Sequence, residues 1–273
     1  MTKFTPYWWE GQPHYSESNS MPKNADVVIV GAGFTGLSAA ITLAKSGVSV
    51  VVFDSVELGF GASTRNGGML GSGHKVSPQQ AEEKYGTDVA GQIHKEANAS
   101  LAFTTNLIQA NNIDCDLQIC GRLRTSWVPQ DQFSMSENLK KLKAIDNFNS
   151  KMIDASTMSE SIKTELYFGG QYYEDHGSVQ PRKFHYGLHE LAIKSGAKVF
   201  GNMPVNQITP LSGNQGAGFV VSVANEFISC KDVLIATNGY TRSSLSKYLS
   251  RRILPVPSFI ITTEEIGVDR VNS

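Results

Sequence analysis

Residues 26–36 read DVVIVGAGFTG, and this stretch decides the fold. The run of β-branched apolar residues from Val27 to Val30 is typical of a parallel strand that is buried on both faces. Three glycines follow with the G-x-G-x-x-G spacing, which permits a tight turn, close approach of the backbone to a pyrophosphate, and close packing of the next helix. We therefore predict that a helix N-terminus faces phosphate groups here. The predicted cofactor-binding positions are Gly31, Ala32, Gly33, Phe34, Thr35 and Gly36.

The residues after the glycines complete a βαβ unit. An apolar stripe with helical spacing runs from Leu37 to Ala44 and predicts a helix that ends near Gly47. A second strand is predicted over Val48–Phe53, and it leads into Asp54, about 20 residues after the second glycine. At that distance a carboxylate accepts hydrogen bonds from the ribose of an adenine dinucleotide, and Ser55 is predicted to lie beside it. A glycine-rich turn without a nucleotide is the alternative, but it does not explain the complete βαβ register.

A second glycine-rich segment, LGFGASTRNGGMLGSG at 58–73, follows the acidic residue. Its glycines permit positive φ and close backbone approach, and its polar side chains supply hydrogen-bond donors. The arginine suits a pyrophosphate or a ring carbonyl. A flexible surface loop is the alternative, and we favour ligand contact because the segment directly follows the predicted ribose carboxylate. The candidate positions are Ser63, Thr64, Arg65, Asn66, Gly67, Gly68 and Met69.

A third part of the predicted site comes from the segment DVLIATNGY at 232–240, which has the apolar run of another buried parallel strand. Small residues at the end of this strand leave room beside the first glycine turn, so that the backbone can line the dinucleotide crevice. The candidate positions are Ala236, Thr237, Asn238 and Gly239.

The segments GAGFTGLSAAITLAKSGVSVVVFD and GFGASTRNGG together resemble the FAD-binding part of the D-amino-acid oxidase-like (DAO) family of FAD-dependent oxidoreductases. Within the family the chain is most similar to the γ-glutamylputrescine oxidase-like branch, which shares the N-terminal Tyr-Trp arm and the Thr-Asn-Gly variant. The resemblance implies an α/β fold: a Rossmann-type (GR2-like) FAD-binding domain with an interleaved, mixed β-sheet substrate domain. It also implies a main-chain contact of Val205 with the adenine edge. We assign no covalent flavin link, because no recognised attachment motif is present.

The resemblance further implies oxidation of the C–N bond of an amine or amino acid, by hydride transfer to flavin N5 and with O₂ as the electron acceptor. The implied substrate is a small amine, such as a γ-glutamylated one. This reaction needs no strong side-chain base, so no catalytic residue is assigned. Tyr172, Tyr173 and His176 are candidates to face the substrate, and packing is the alternative role for them. Two other functions stay open: an NAD-dependent dehydrogenase and a non-catalytic nucleotide-binding fragment.

Other segments of the chain carry weaker patterns. Helices are predicted over 78–111 with a break near Gly86, over 131–146, and over Pro181–Ser195. Residues 115–128 are predicted to form two strands that are broken at a glycine. On the helix that starts at Pro181, His185 and His189 are four residues apart, and with no third ligand in register they are predicted to lie on the helix surface.

The resemblance suggests a division of the chain into three parts. Residues 1–23 are predicted to be an arm that docks its Tyr-Trp-Trp cluster on the body of the protein. Residues 24–75 and 180–250 are assigned to the FAD-binding domain, and 76–179 and 251–273 to a partial substrate domain, with a last strand at Phe259–Thr263. Family members continue with further strands and another glycine-rich flavin-binding segment, so a chain truncated at the C-terminus is expected.

The composition is that of an ordinary globular protein. The 273 residues are 40% hydrophobic and carry a formal net charge of −1, which argues against nucleic acid or an anionic membrane as the main partner. No apolar run approaches the roughly 20 residues that cross a bilayer, and the N-terminus lacks the features of a secretory signal. Cys115, Cys120 and Cys230 have no metal-binding or disulfide spacing. These features predict a cytoplasmic protein with no metal site, and the small-molecule amine substrate is what the resemblance implies.

Overall fold

A computed structural model of the protein describes residues 3–18, 20–146, 148–211 and 217–272. The predicted arm and domains also contain residues 1–2, 19, 147, 212–216 and 273, which lie outside the described part. The strands are β1 (Asn24–Val30), β2 (Val50–Phe53), β3 (Met69–Leu70), β4 (Arg122–Thr125), β5 (Ser150–Asp154), β6 (Gly169–Tyr173), β7 (Gly177–Ser178), β8 (Lys198–Phe200), β9 (Val205–Pro210), β10 (Phe219–Val223) and β11 (Glu226–Ile235). The helices are α1 (Phe34–Lys45), α2 (Pro78–Tyr85), α3 (Thr87–Ala110), α4 (Pro129–Ile145), α5 (Met158–Ser161), α6 (Pro181–Lys194), α7 (Lys247–Ser250) and α8 (Val268–Asn272).

The chain forms two compact units. The first comprises the residues up to Gly67, together with Ile113–Cys115 and Gln180–Thr262. The second comprises Gly68–Asn112, Asp116–Val179 and the residues from Thr263 onward. The assignment of a cofactor-binding and a substrate role to two domains stays a prediction, because compactness by itself says nothing about a role.

The first unit is built on a six-stranded sheet with the order β8-β2-β1-β11-β10-β9. The strands β8, β2, β1 and β11 pair in parallel, and β10 pairs antiparallel with both of its neighbours, β11 and β9. The Val/Ile run of β1 is central, and Val28 and Ile29 are fully buried, as expected for a strand that is covered on both faces. The last residue of β1, Val30, pairs with Phe53 of β2 and with Ile235 of β11. Their carboxyl ends therefore meet at one edge of the sheet.

Two strands of the first unit differ from the prediction. The second strand begins at Val50 instead of Val48, because the residues before it bond elsewhere: the Val48 N–H donates to Leu43 O, and the Ser49 N–H donates to Asp26 Oδ2. The strand predicted at the start of 232–240 is part of a longer strand, β11, which begins at Glu226. Residues 226–230 of β11 pair antiparallel with β10, and residues 229–235 pair parallel with β1. One continuous strand therefore serves both neighbours.

The second unit contains a three-stranded antiparallel sheet with the order β4-β6-β5, accompanied by α2, α3 and α4. The predicted helix break at Gly86 is confirmed, since this residue has φ +80° between α2 and α3. The predicted strand pair in 115–128 is wrong, because only Arg122–Thr125 forms a strand. Asp116 and Gly121 both have positive φ, which interrupts an extended chain before β4.

The predicted strand Phe259–Thr263 is also wrong. These residues have no regular structure, and Phe259 and Ile261 are almost fully exposed. Within the described part of the chain no strand pairs with them, so their apolar side chains have no sheet on which to pack. Among the described helices, none is both long enough and apolar enough to cross a membrane.

Candidate cofactor site

The first unit encloses a cavity of about 730 Å³ at the carboxyl ends of β1, β2 and β11. This volume is within the range of about 300–1,000 Å³ that is common for ligand sites. Open α/β sheets bind their ligands at this edge of the strands. The predicted site residues that line the cavity are Gly31, Ala32, Gly33, Phe34, Thr35, Asp54, Ser55, Ser63, Asn66, Val205, Ala236, Thr237, Asn238 and Gly239.

The turn between β1 and α1 needs its glycines for different reasons. Gly31 has φ +106°, and a Cβ there would lie 2.6 Å from Ala236 O on the neighbouring strand end. A Cβ at Gly36 would overlap the carbonyl oxygen of Gly31, although Gly36 itself does not line the cavity. Gly33 has no side chain to cap α1, and the Phe34 N–H donates to Ser63 Oγ, so the N–H groups of Thr35 and Gly36 are the ones that keep the capacity to bind an anion. The turn therefore has the construction of a phosphate-binding loop.

Asp54 is joined to this turn by a hydrogen bond. The Ala32 N–H donates to Asp54 Oδ2 over 2.9 Å, and a longer bond of 3.4 Å runs from the Val56 N–H to Oδ1. Burial raises the pKa of this carboxyl, and the backbone donors at Ala32 and Val56 oppose the rise. The structure thus holds a hydrogen-bond acceptor at the end of β2 in a fixed orientation, next to the glycine turn.

The segment after Asp54 contributes the predicted residues Ser63 and Asn66 to the cavity wall, and hydrogen bonds within the segment hold its conformation. Ser63 Oγ accepts a hydrogen bond from the Phe34 N–H at 3.0 Å, and Asn66 Nδ2 donates to Ser63 O at 2.9 Å. Thr64 is fully buried and donates to Gly59 O at 2.5 Å. Arg65 donates from Nε to Phe60 O at 2.6 Å, and its guanidinium lies over the ring of Phe60.

Not all predicted residues of this segment line the cavity. Thr64, Arg65 and Gly67 are absent from its wall, and the predicted contacts of these three with a cofactor stay predictions. Gly68 and Met69 belong to the second unit, where Met69 pairs with Ser178 in the β3-β7 ladder.

The N-terminal arm docks on the same segment, as predicted. Trp8 Nε1 donates to Asn66 O and Trp9 Nε1 donates to Thr64 Oγ1, each over 2.9 Å. The Arg65 guanidinium also lies 4.6 Å from the centre of the Trp9 ring. The aromatic cluster is therefore part of the structure that supports the cavity wall.

His185 and His189 do not lie on the helix surface, and this prediction is wrong. Both are buried, because the face of α6 that packs toward α1 is wider than the apolar stripe in its sequence. His185 Nε2 lies 2.6 Å from Ala32 O, which can only accept, so Nε2 carries a proton and donates. Tyr15 O–H then donates to His185 Nδ1 over 2.7 Å.

The buried His185 is neutral for a physical reason. Burial lowers its pKa to about 4, since the imidazolium form is poorly solvated there, and the positive charge of Arg182 acts in the same direction. Burial likewise raises the pKa of the Tyr15 hydroxyl, which keeps it a donor. A chain of hydrogen bonds thus connects the N-terminal arm, α6 and the carbonyl of the glycine turn.

Some residues of the cavity wall were not predicted from the sequence. Arg242 and Leu245 follow β11, Pro204 precedes β9, and Phe60 and Tyr240 add aromatic side chains. Their only sequence signal is that they come soon after a strand end or a predicted site residue. Arg242 is notable because it places a positive charge at a wall that also includes a helix N-terminus.

The three substrate candidates lie in the second unit. Tyr172 O–H donates to Cys120 O over 3.2 Å. Tyr173 stacks on His176 with ring centres 4.5 Å apart, and Ser72 contacts the same imidazole. Each candidate therefore has a packing or hydrogen-bonding role within its own unit, and contact with a substrate stays a prediction.

Comparisons with known proteins give the class of protein. The profile of the FAD dependent oxidoreductase (DAO) family matches residues 26–272. The chain belongs to this family, and FAD is its cofactor. The cavity fits this group in three respects: a helix N-terminus without a capping side chain at Gly33, a fixed carboxylate at the end of β2, and a turn into which a Cβ does not fit.

The sequence identity to individual relatives is low. The chain is 28% identical to the probable oxidoreductase OrdL of Haemophilus influenzae and to the gamma-glutamylputrescine oxidoreductase of Escherichia coli, with 90% and 91% of the chain covered. It spans about 57% of the length of each of these relatives. Among solved structures, it matches glycine oxidase from Geobacillus kaustophilus with a TM-score of 0.67 at 21% identity, covering 84% of this chain and 59% of that one. It matches an L-amino acid deaminase from Proteus vulgaris with a TM-score of 0.71 at 20% identity, covering 89% and 61%. These structural matches establish the fold.

Proposed function

We propose that the protein takes part in FAD-dependent oxidation of the C–N bond of a small amine or amino acid, with O₂ as electron acceptor. The observation that carries the proposal is the cavity at the carboxyl ends of β1, β2 and β11, in a chain that belongs to an FAD-dependent oxidoreductase family. The names of the relatives support the substrate class, because γ-glutamylputrescine, glycine and L-amino acids all contain an amino nitrogen.

The residues of the cavity have distinct proposed roles. We propose that the N–H groups at the start of α1 hold the pyrophosphate, with Arg242 adding positive charge, and that Asp54 accepts hydrogen bonds from the adenosine ribose. The main chain of Val205 is proposed to contact the adenine edge. When bound, FAD supplies the hydride acceptor of the reaction, while the protein supplies binding, orientation and electrostatics.

The proposed substrate is a γ-glutamylputrescine-like or similar small amine. The neutral amine loses hydride from its α-carbon, so no strong side-chain base is needed to abstract a proton from carbon. The chain spans only part of the length of its relatives, and the activity of the whole protein is what this proposal concerns.

The first experiment measures cofactor binding. Purified protein is incubated with FAD or NAD, desalted and scanned, and oxidised flavin is expected to give absorbance maxima at about 380 and 450 nm. Retention of FAD at one equivalent supports the cofactor assignment. Retention of NAD instead of FAD would favour the dehydrogenase alternative.

The second experiment measures turnover. FAD-loaded protein is mixed with γ-glutamylputrescine, putrescine, glycine or individual L-amino acids, and hydrogen peroxide is recorded beside reduction of an artificial dye. Peroxide with one of the amines supports the proposal. Dye reduction without peroxide would overturn O₂ as the acceptor, and flavin binding without either signal would favour the non-catalytic alternative for this chain.

A further inference from the structure

The second unit has a cavity of its own, of about 460 Å³, and all of its lining residues belong to that unit. One wall is the face of the antiparallel sheet that presents Arg122 and Arg124, two residues apart on β4 and therefore on the same side. In the register of the sheet these arginines are opposite Tyr173 and Gln171 of β6, which line the cavity as well. The segment after β3 and the helices α3 and α4 form the remaining walls.

The charges of the wall are predominantly positive. Lys75, Arg122 and Arg124 line the cavity together with a single carboxylate, Asp131. None of the three cations forms an ion pair with an acidic residue of the described chain. A concave wall with unpaired cations attracts anions.

His176 is a buried imidazole of the same wall. Its Nε2 accepts from the Ser72 backbone N–H at 3.1 Å, and since that N–H can only donate, Nε2 carries no proton. The proton of the neutral imidazole is therefore on Nδ1, which is buried and has no hydrogen-bond partner among the described residues. Burial and the positive charge of Arg122 keep the pKa of His176 low, although Asp175 beside it opposes the shift. This N–H has almost no accessible surface, and a Cβ at Gly71 would lie 2.6 Å from Nδ1, so His176 helps to shape the wall and does not itself present a donor to a ligand.

His94, on α3, is a second imidazole of this kind. It is 6% exposed, it lines the cavity, and its Nε2 has no hydrogen-bond partner within the described ranges. Burial lowers its pKa, and the neighbouring His74 acts in the same direction. Both imidazoles are therefore buried beneath the wall, and they shape the cavity without presenting these nitrogen atoms to a ligand.

Part of the cavity wall is apolar, although Asp131, Ser134 and Asn138 of α4 also line it. Met135 and Leu142 of α4, together with Phe148, are buried hydrophobic residues that line it. A purely polar ligand would leave this part of the wall without a partner, whereas a short hydrocarbon would cover it.

We propose that this cavity binds an organic carboxylate with a short apolar body. The carboxylate oxygens accept hydrogen bonds from the guanidinium groups of Arg122 and Arg124, and the body packs on Met135, Leu142 and Phe148. Carboxylates are favoured over inorganic phosphate, because phosphate has no apolar part. The proposal concerns binding alone and does not rest on the proposed oxidation.

Calorimetric titration of the 273-residue chain with four probes tests this directly. Hexanoate is expected to bind with one-to-one stoichiometry, and hexanamide at least about tenfold more weakly, because a charged acceptor makes stronger bonds to the arginines than a neutral one. Acetate is also expected to bind about tenfold more weakly, since it lacks four methylene groups. The proposal is overturned if hexanoate does not bind at all. It is also overturned if inorganic phosphate or hexanamide binds with the same affinity as hexanoate.

Variants locate the binding. Arg124→Gln removes an exposed cation of the wall and is expected to weaken hexanoate binding about tenfold, without disturbing the fold. Lys140→Gln is the matched control: it removes one positive charge from α4 in the same unit, outside the cavity, and a change below about twofold is expected. Equal effects of the two variants would contradict the assignment of the site.

Side-chain ¹⁵N NMR gives an independent readout of the imidazoles. The free protein is expected to show His176 as the Nδ1–H tautomer, and saturation with hexanoate is expected to shift this Nδ1–H signal. If hexanoate binds and the His176 signals do not shift, the ligand lies elsewhere.

Discussion

The cofactor cavity of the first unit and the cavity of the second unit are lined in different ways. The first lies at the ends of three neighbouring strands, where many glycine, alanine and serine residues line the wall, and its turn needs glycine at Gly31 and Gly36. The second is formed by side chains from distant parts of the sequence, such as Lys75, His94 and Arg124. A site of the first kind leaves a local pattern of small residues in the sequence, whereas a site of the second kind leaves none. The five predictions below test how far this contrast holds.

The largest effect is expected at a glycine that does not line the cavity. Gly36→Ala places a Cβ against the carbonyl oxygen of Gly31, so the turn must open. FAD affinity is expected to fall about 100-fold, which corresponds to about 3 kcal/mol. Gly73→Ala is the control, because a Cβ there meets no atom within 4 Å. Titration of flavin fluorescence measures both, and wild-type affinity in Gly36→Ala would show that the close approach is not required.

The buried histidine of the first unit tests whether large side chains also matter at the cofactor cavity. His185→Phe leaves the Ala32 carbonyl and the Tyr15 hydroxyl without their partner, and a loss of about 2 kcal/mol in the free energy of unfolding is expected. His185→Gln keeps one donor and one acceptor, so it is expected to recover part of this loss. Urea denaturation followed by circular dichroism gives the values. If the phenylalanine variant is as stable as the wild type, His185 does not support the glycine turn.

The same histidine predicts a dependence of stability on pH. Its folded pKa of about 4 is below the ordinary 6.5, so the unfolded chain binds more protons in this window and stability falls as the pH is lowered through it. Going from pH 7 to pH 5 is expected to cost about 2 kcal/mol through this group. Denaturation at both pH values, compared between the wild type and His185→Gln, measures how much of the pH dependence of stability comes from His185. An unchanged pH dependence in the variant would contradict the assignment.

A smaller effect is expected for the carboxylate at the end of β2. Asp54→Asn keeps an acceptor for the Ala32 N–H but removes the charge, and FAD affinity is expected to fall about tenfold. Because burial raises the pKa of Asp54, affinity in the wild type is expected to start falling at a higher pH than an ordinary aspartate would give. Flavin titrations over a pH series measure this, and a pH profile that persists unchanged in the variant would exclude Asp54 as its source.

The smallest effect is expected for Arg242, an exposed cation of the cavity wall. Arg242→Gln is expected to reduce FAD affinity about threefold at low salt, and less at high salt, because exposed charges are screened. Flavin titration at two salt concentrations measures the difference. The control is Arg252→Gln, which removes a guanidinium that lies over the ring of Tyr248 outside the cavity. Equal losses in both variants would mean that net charge, and not the position of Arg242, is responsible.

The sequence predicted the βαβ unit and most of the cofactor cavity because their requirements are local. A buried run of valine and isoleucine, glycines at fixed spacing and an acidic residue after the second strand can each be recognised along the chain. Prediction failed where a partner from elsewhere decided the outcome. Phe259–Thr263 has the composition of a strand but finds no neighbouring strand in the described part, and β11 is continuous because it changes partners along its length.

What the sequence determined by itself was the family and its cofactor, through a backbone conformation that only certain residues permit. The tertiary structure alone decided that His185 is buried and bonded to the glycine turn, since nothing in α6 indicates that α1 and Tyr15 cover it. It also decided that Lys75, Arg122, Arg124 and His176 meet around one cavity. The physical reason is the same in both cases: the burial and charge of a side chain depend on which distant elements pack beside it.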